Sequence, residues 1–249
     1  MGTDNEAALA LVKATSTEIH DIGTAIYLSP ETFALAADWG WSNPFAFYFA
    51  GRGGMLGDVP ADVVYSAFGW FAPEAVKAMY EEGAGVSGSA EVSRRMAEAH
   101  GIWGTRHLSD IEGLSEFVKA TEELVDGLEG SALPLFVGWR SAKRAGDEAG
   151  RLAQLLQILR EWRGGIHLVA TTAVGLSPVE AILTNEGQGQ AKFFGWSEPF
   201  PDCADIKYKH DEAEEMTDRL CAQSLVQALN AEKYGVFQAG VEAVKAAIA

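Results

Sequence analysis

Two of the five histidines stand at matched places relative to a Ser-Pro step. His20 is followed nine residues later by Ser29-Pro30, and His167 ten residues later by Ser177-Pro178. Each unit leads on to an aromatic, glycine-containing stretch, Phe47 to Arg52 in the first and Phe193 to Trp196 in the second. An imidazole titrates near pH ~6.5, so it can take up or release a proton, ligate a metal or orient a hydrogen-bond partner. Self-similarity of this kind predicts one helical unit used twice, with its two copies turned toward a shared interior. His20 and His167 are therefore the candidate acid/base pair. The plainer alternative is that each ring bonds a nearby carbonyl where its helix breaks.

Two arginines accompany them. Arg52 ends the apolar run Phe45 to Gly51, and Arg163 lies four residues before His167. A guanidinium cannot be neutralised, so in apolar surroundings it requires a carboxylate partner or an anionic ligand. Arg52 and Arg163 are thus candidates for gripping a carboxylate or phosphate head group. An internal ion pair, with Asp218, Glu180 or Glu31, is the structural alternative. Ten aromatic residues crowd the stretch from Trp39 to Phe71. At helical spacing they would form core, or line a pocket for a flat hydrophobic molecule. Trp39, Phe45 and Tyr48 complete the expected substrate-binding set, Tyr48 with a hydroxyl beside Arg52.

Other chemistries find less support. His20-Asp21 is similar to the metal-binding pair of HD-type phosphohydrolases, but that site needs an upstream histidine and none precedes residue 20. His210-Asp211 lies in a hydrophilic run and reads as solvated. Glu180 sits where it would cap Ser177, and Glu31 where a helix dipole favours a carboxylate. A dimetal site from two His/Glu pairs lacks the Glu-x-x-His signature, so no metal is expected. Gly51-Arg52-Gly53-Gly54 has no Walker continuation, and no dinucleotide fingerprint or Gly-x-Ser-x-Gly elbow is present. No motif names a cofactor.

The elements that must position these groups read as helices. Ser29-Pro30 opens one through Ala37, Pro44 starts the aromatic segment, Pro60 opens one through Phe68 and Pro73 one through Glu82. Gly83 to Gly88 reads as a loop. Helices are expected from Ser89 to about His100, Ser109 to Leu128, Leu135 to Lys143 and Asp147 to Trp162. The second histidine segment is expected from Gly165 to Gly175, and closing helices over Asp211 to Leu229 and Glu232 to Ile248. Strand-like alternation is absent. The expectation is an all-α, single domain of two pseudo-repeated halves, about 1–130 and 131–249, sharing one core.

Composition sets limits. The 249 residues are 48% hydrophobic and 22% charged, with 19 basic against 35 acidic groups and a net charge of −16. Both a nucleic-acid backbone and an anionic membrane need a positive surface, so neither is an expected partner. Two cysteines in no metal spacing, no signal-type N-terminus and no uncharged apolar run of 18 residues point to a cytoplasmic protein.

Several stretches in order resemble an actinobacterial family of all-helical proteins labelled "helix-turn-helix family". They are His20–Glu31, Tyr48–Arg52, Leu133–Phe136, Leu159–His167, Gly175–Ala181, Gly195–Glu198 and Glu214–Leu220. The resemblance implies an all-helical fold but no settled activity. Relatives carry a segment resembling a winged-helix hairpin after the Gly-Trp-Ser-Glu element. Here Pro199–Lys209 takes its place, without a basic recognition helix. The function expected is therefore binding of a small hydrophobic molecule with an anionic or polar head in an aromatic-lined pocket, with His acid/base chemistry upon it. A non-catalytic carrier or sensor and a degenerate helix-turn-helix regulator are the alternatives. The closing helices could also serve a homodimer.

Overall fold

Both Ser-Pro steps do what their chemistry requires. In a computed structural model, which describes residues 3–248, the first long helix α1 (Thr3–Tyr27) ends just before Ser29, whose hydroxyl accepts from the Thr32 amide at 3.0 Å. Pro30 then opens α2 (Pro30–Asp38). Far along the chain, α9 (Glu148–Ala173) ends before Ser177, and α10 (Pro178–Asn185) opens on Pro178. There Ser177 and Glu180 form a reciprocal capping box, so Glu180 is spent on the helix start as expected.

Between the steps lie α3 (Pro44–Gly53), α4 (Ala61–Phe68), α5 (Pro73–Ser87) and α6 (Ser89–His107). Next come α7 (Leu114–Gly127) and α8 (Pro134–Ser141). After α10 come the short α11 (Gln188–Phe193), then α12 (Tyr208–Ala228) and α13 (Tyr234–Ile248). No strand occurs among the described residues, and the fold is all-α.

Helix α9 organises the rest. Over its first half, residues from Leu152 to Leu159 are buried all round, so it must be enclosed by other helices. Helices α1, α6, α7, α8 and α12 surround it. Its buried amide Gln154 is satisfied on both sides, donating to the Ala97 carbonyl at 2.8 Å and accepting from the Ala145 amide at 2.7 Å. Helix α3, buried from Ala46 onward, packs between α5 and α6 and carries Tyr48 and Arg52 toward α9.

Two expected breaks are absent, for one reason. Helix α5 continues through Gly83 and Gly85, and α9 runs unbroken through Gly164 and Gly165. At Gly83 a methyl group would collide with the Ala46 carbonyl and the Ala50 side chain, so this glycine lets α3 lie against α5. At Gly165 it would press on Leu133. These glycines serve close approach between helices rather than chain reversal, and periodicity alone does not separate the two uses. Helix α6 likewise extends to His107, past the expected end at His100.

The two Ser-Pro units are alike only locally. Helix α1 packs on α9, α12 and α13, whereas α9 is central. Their downstream helices differ as well: α3 is ten residues long and nearly all buried, α11 six residues with only Ala191 buried. Among the described residues, no single helix is long and apolar enough to cross a membrane.

Gly83 and Gly85 share α5 and separate the two roles of glycine. Gly85 has open space where a Cβ would go. Gly85→Ala is expected to stabilise the protein by up to about 1 kcal/mol. Gly83→Ala should instead cost about 2 kcal/mol, through overpacking against α3. Urea denaturation of the two variants checks this, and equal shifts would contradict the close-approach role.

Candidate functional site

Helices α1 and α9 face each other across a cavity of about 980 Å³. From α1 come Ser16, His20, Thr24 and Tyr27; from α9 come Arg160, Arg163, Gly164, His167 and Thr171. Ser16, His20, Thr24 and Tyr27 run along α1 at intervals of three or four residues, with Thr15, Thr17 and Ile19 beside them. Helix α3 contributes Phe45, Tyr48 and Arg52, and Trp70, Phe71, Phe194 and Leu176 add an apolar wall. Leu28, Phe45 and Phe193 line the cavity and are also exposed, so they mark its rim. Gly164 has nothing within 4 Å of where a Cβ would sit, and this is the cavity side of α9. His20 and His167, 147 positions apart in sequence, thus border one space.

At the floor, Arg52 and Glu161 form a two-point ion pair. Arg52 Nε donates to Oε1 and Nη2 to Oε2, each at 2.8 Å, and both side chains are almost fully buried. Tyr27 Oη donates to Glu161 Oε1 at 3.3 Å, and Gln157 Nε2 donates to the same oxygen at 2.8 Å. Burial alone would raise the Glu161 pKa, but the Arg52 guanidinium overrides it and holds the carboxyl below its ordinary range. Burial, with Glu161 beside it, pushes the Tyr27 phenol well up, so Tyr27 stays a neutral donor. Arg52 also lies over the Phe68 ring, 4.1 Å from its centroid. Its fork is therefore occupied. The expectation that Arg52 grips a ligand head group is corrected: its partner is Glu161, none of the carboxylates named from sequence.

His20 is different. Its ring borders the cavity and the residue is exposed, so solvent reaches it. Burial and the neighbouring Arg160 and Arg163 push its pKa down to about 4, so it is neutral at pH 7. Among the described residues no side chain or carbonyl hydrogen-bonds to it, and it is free to meet a ligand.

His167 is held in one tautomer. Thr217 Oγ1 donates to the Ala213 carbonyl at 2.7 Å, so its lone pair accepts from His167 Nδ1–H at 2.9 Å. The other nitrogen, Nε2, lies 3.5 Å from Glu214 Oε1. Burial lowers the His167 pKa despite that carboxylate. Glu214 itself stays below its usual range: burial would raise it, but His167 and Arg163 outweigh that effect. Arg163 is occupied, donating to Glu214 Oε2 at 2.7 Å with Asp218 at 3.6 Å. Both ring nitrogens thus face protein groups, and a proton taken up by the imidazole would be stabilised by Glu214.

Phe45 and Tyr48 line the cavity, as the sequence leads one to expect. Trp39 does not: it packs against Phe47, and the Arg95 guanidinium covers its ring at 4.8 Å, so its expected role is corrected. His210, expected to be solvated, is half-buried and lines the cavity. Glu31 faces outward, where His107 Nε2 donates to it at 3.1 Å. Tyr27, Gln157, Arg160, Glu161, Glu214 and Thr217 escaped the sequence reading. The one signal for Glu161 was a carboxylate in a run, Leu155 to Trp162, whose other residues are apolar except Gln157 and Arg160. Among the described residues no group of three His, Cys, Asp or Glu side chains is placed to hold a metal ion. A second cavity of about 450 Å³ shares Arg52, Glu161, Gly164 and Trp70 with the first.

A family model described as "Helix-turn-helix family" matches residues 12–248. The chain belongs to the helix-turn-helix family. No curated protein and no solved structure matches it. The family match covers α9, which lies inside the molecule, and α12, the last long helix before the closing one. In this helix-turn-helix family chain, α12 carries Asp211, Glu212, Glu214, Glu215 and Asp218 against Lys209 and Arg219.

Two outcomes are expected from the buried charges. Glu161→Gln leaves Arg52 buried without a counter-charge and should cost about 3–5 kcal/mol of stability. The double variant Arg52→Met/Glu161→Met should lose less than Glu161→Gln, as urea midpoints would show. The second concerns His100, wholly buried with Nδ1 donating to the Met96 carbonyl at 2.9 Å and its pKa lowered to about 4, chiefly by burial. It is neutral when folded and titrates near pH 6.5 when unfolded. Its contribution is therefore complete above pH 6.5 and lost as pH falls toward 4, by roughly 3 kcal/mol. His100→Gln should flatten that segment of a stability–pH curve; an unchanged slope would contradict the assignment.

Proposed function

We propose that this protein binds a small hydrophobic molecule with an anionic or polar head in the α1/α9 cavity and acts on it by proton transfer. The observation that carries this reading is the convergence of His20 and His167, neutral at pH 7 and facing one largely apolar space. Such spaces with a few converging polar groups are where ligands usually lie. His167 Nε2 is the proposed base, fixed by Thr217 and backed by Glu214. His20, unpaired by protein, is the proposed partner that meets the polar end of the ligand. Proton transfer by positioned groups of this kind typically contributes about 10²–10⁴ in rate.

The family's description favours a second reading, a regulator that senses the same ligand or binds nucleic acid. The net charge of −16 and the acidic α12 weigh against contact with phosphates. Mass spectrometry of the protein under non-denaturing conditions would identify a molecule carried through purification. Incubation with that molecule then separates the readings. His167→Ala is expected to retain binding and to lose turnover by 10²-fold or more, and His20→Ala to weaken binding as well as turnover. Gly164→Leu, which fills the cavity from α9, should abolish binding while leaving the fold intact. Turnover unchanged in both histidine variants would exclude the acid/base roles. Tight, strongly salt-dependent DNA binding would favour the regulator.

A further inference from the structure

Neither arginine singled out by the sequence is free, since Arg52 is committed to Glu161 and Arg163 to Glu214. A third guanidinium is left over. Arg160 lines the cavity on the same stripe of α9 as His167, and its side chain is 14% exposed. Its stem crosses α1 at Gly23, where any Cβ would collide with Arg160 Cδ. This holds the head group at the cavity wall beside the Tyr27 ring, 5.5 Å from its centroid.

Its bonds are weak and surplus. Nη1 reaches Glu161 Oε1 at 3.3 Å, an oxygen that already accepts from Arg52 and Gln157 at 2.8 Å and from Tyr27 at 3.3 Å. A carboxylate oxygen has about two lone-pair sites, so four donors oversubscribe it. Nη2 reaches Thr24 Oγ1 only at 3.5 Å, and Nε is buried with no partner. Charge gives the same answer: Arg52 and Arg160 share one carboxylate, leaving one positive charge in excess. Around Arg163 the carboxylates Glu214 and Asp218 already balance the cation. The excess charge therefore sits next to His20 and Thr24, two hydrogen-bonding groups with capacity to spare.

We propose that Arg160 is the head-group residue of the cavity and that the ligand it selects is an apolar monocarboxylic acid. One excess charge matches one carboxylate; a phosphate monoester would bring nearly two, and a neutral alcohol none. The carboxylate accepts from Arg160, with His20 N–H and the Thr24 hydroxyl as further donors, and the hydrocarbon lies toward Trp70 and Phe71. This rests on the reading that the cavity holds a ligand.

Calorimetric titration with two matched series tests it: decanoate, decyl phosphate and decanol, and 2-naphthoate, 2-naphthyl phosphate and 2-naphthol. In at least one series the wild-type protein should bind the carboxylate at least tenfold more tightly than the other two. Arg160→Gln should bring the three to within threefold of one another, and Arg160→Lys should retain part of the preference. Melting curves establish that each variant is folded. Equal affinity for acid and alcohol, tighter binding of the phosphate, or a preference that survives in Arg160→Gln would overturn the assignment while leaving the cavity reading standing. Failure of all six compounds to bind would overturn the cavity reading, and this assignment with it.

Discussion

The buried pairing of Arg52 with Glu161 is the constraint around which the interior is arranged. Taking two charges out of water costs several kcal/mol per ion, and attraction offsets this only when the geometry is good and the remaining donors and acceptors are satisfied. Both conditions shape the surrounding sequence. Arg52 stands on α3 and Glu161 on α9, 109 positions apart, so the pair ties the aromatic segment to the central helix. Tyr27 brings the end of α1 to the same carboxylate, and Gln157 supplies another donor from one turn earlier on α9. Three helices are thereby fixed in register at one point.

That register determines what the cavity can present. With α1 pinned through Tyr27, His20 lies about two helical turns earlier and lines the cavity with Arg160. With α9 pinned through Glu161, His167 lies nearly two turns later and meets α12 through Thr217 and Glu214. The two imidazoles are in contrasting states. One has a protein group at each ring nitrogen, and the other has no protein partner and three guanidiniums acting on it. Both are neutral at pH 7, as acceptance of a proton requires.

Much of this was legible in the chain, and the parts that were not share a cause. The all-helical class and the caps at Ser29 and Ser177 followed from local patterns. Arg52 was recognisable as a charge in apolar surroundings, but its partner was not: the alternatives from sequence were Asp218, Glu180 and Glu31. A carboxylate 109 positions along the chain leaves no mark in local spacing. Trp39 failed for a related reason, since an aromatic ring can be covered by a neighbouring cation, here Arg95, as readily as by a ligand. Gly83 and Gly165 read as breaks because close helix packing and chain reversal both demand a missing side chain. The similarity of the two Ser-Pro units did not extend to their surroundings; the neighbours of α1 and α9 differ.

The same ion pair borders both internal spaces, so the partition between them is made in part of charge rather than hydrocarbon. An oily group pressing on a guanidinium and a carboxylate meets a desolvation penalty, so the hydrocarbon of an occupant is disfavoured against that stretch of wall.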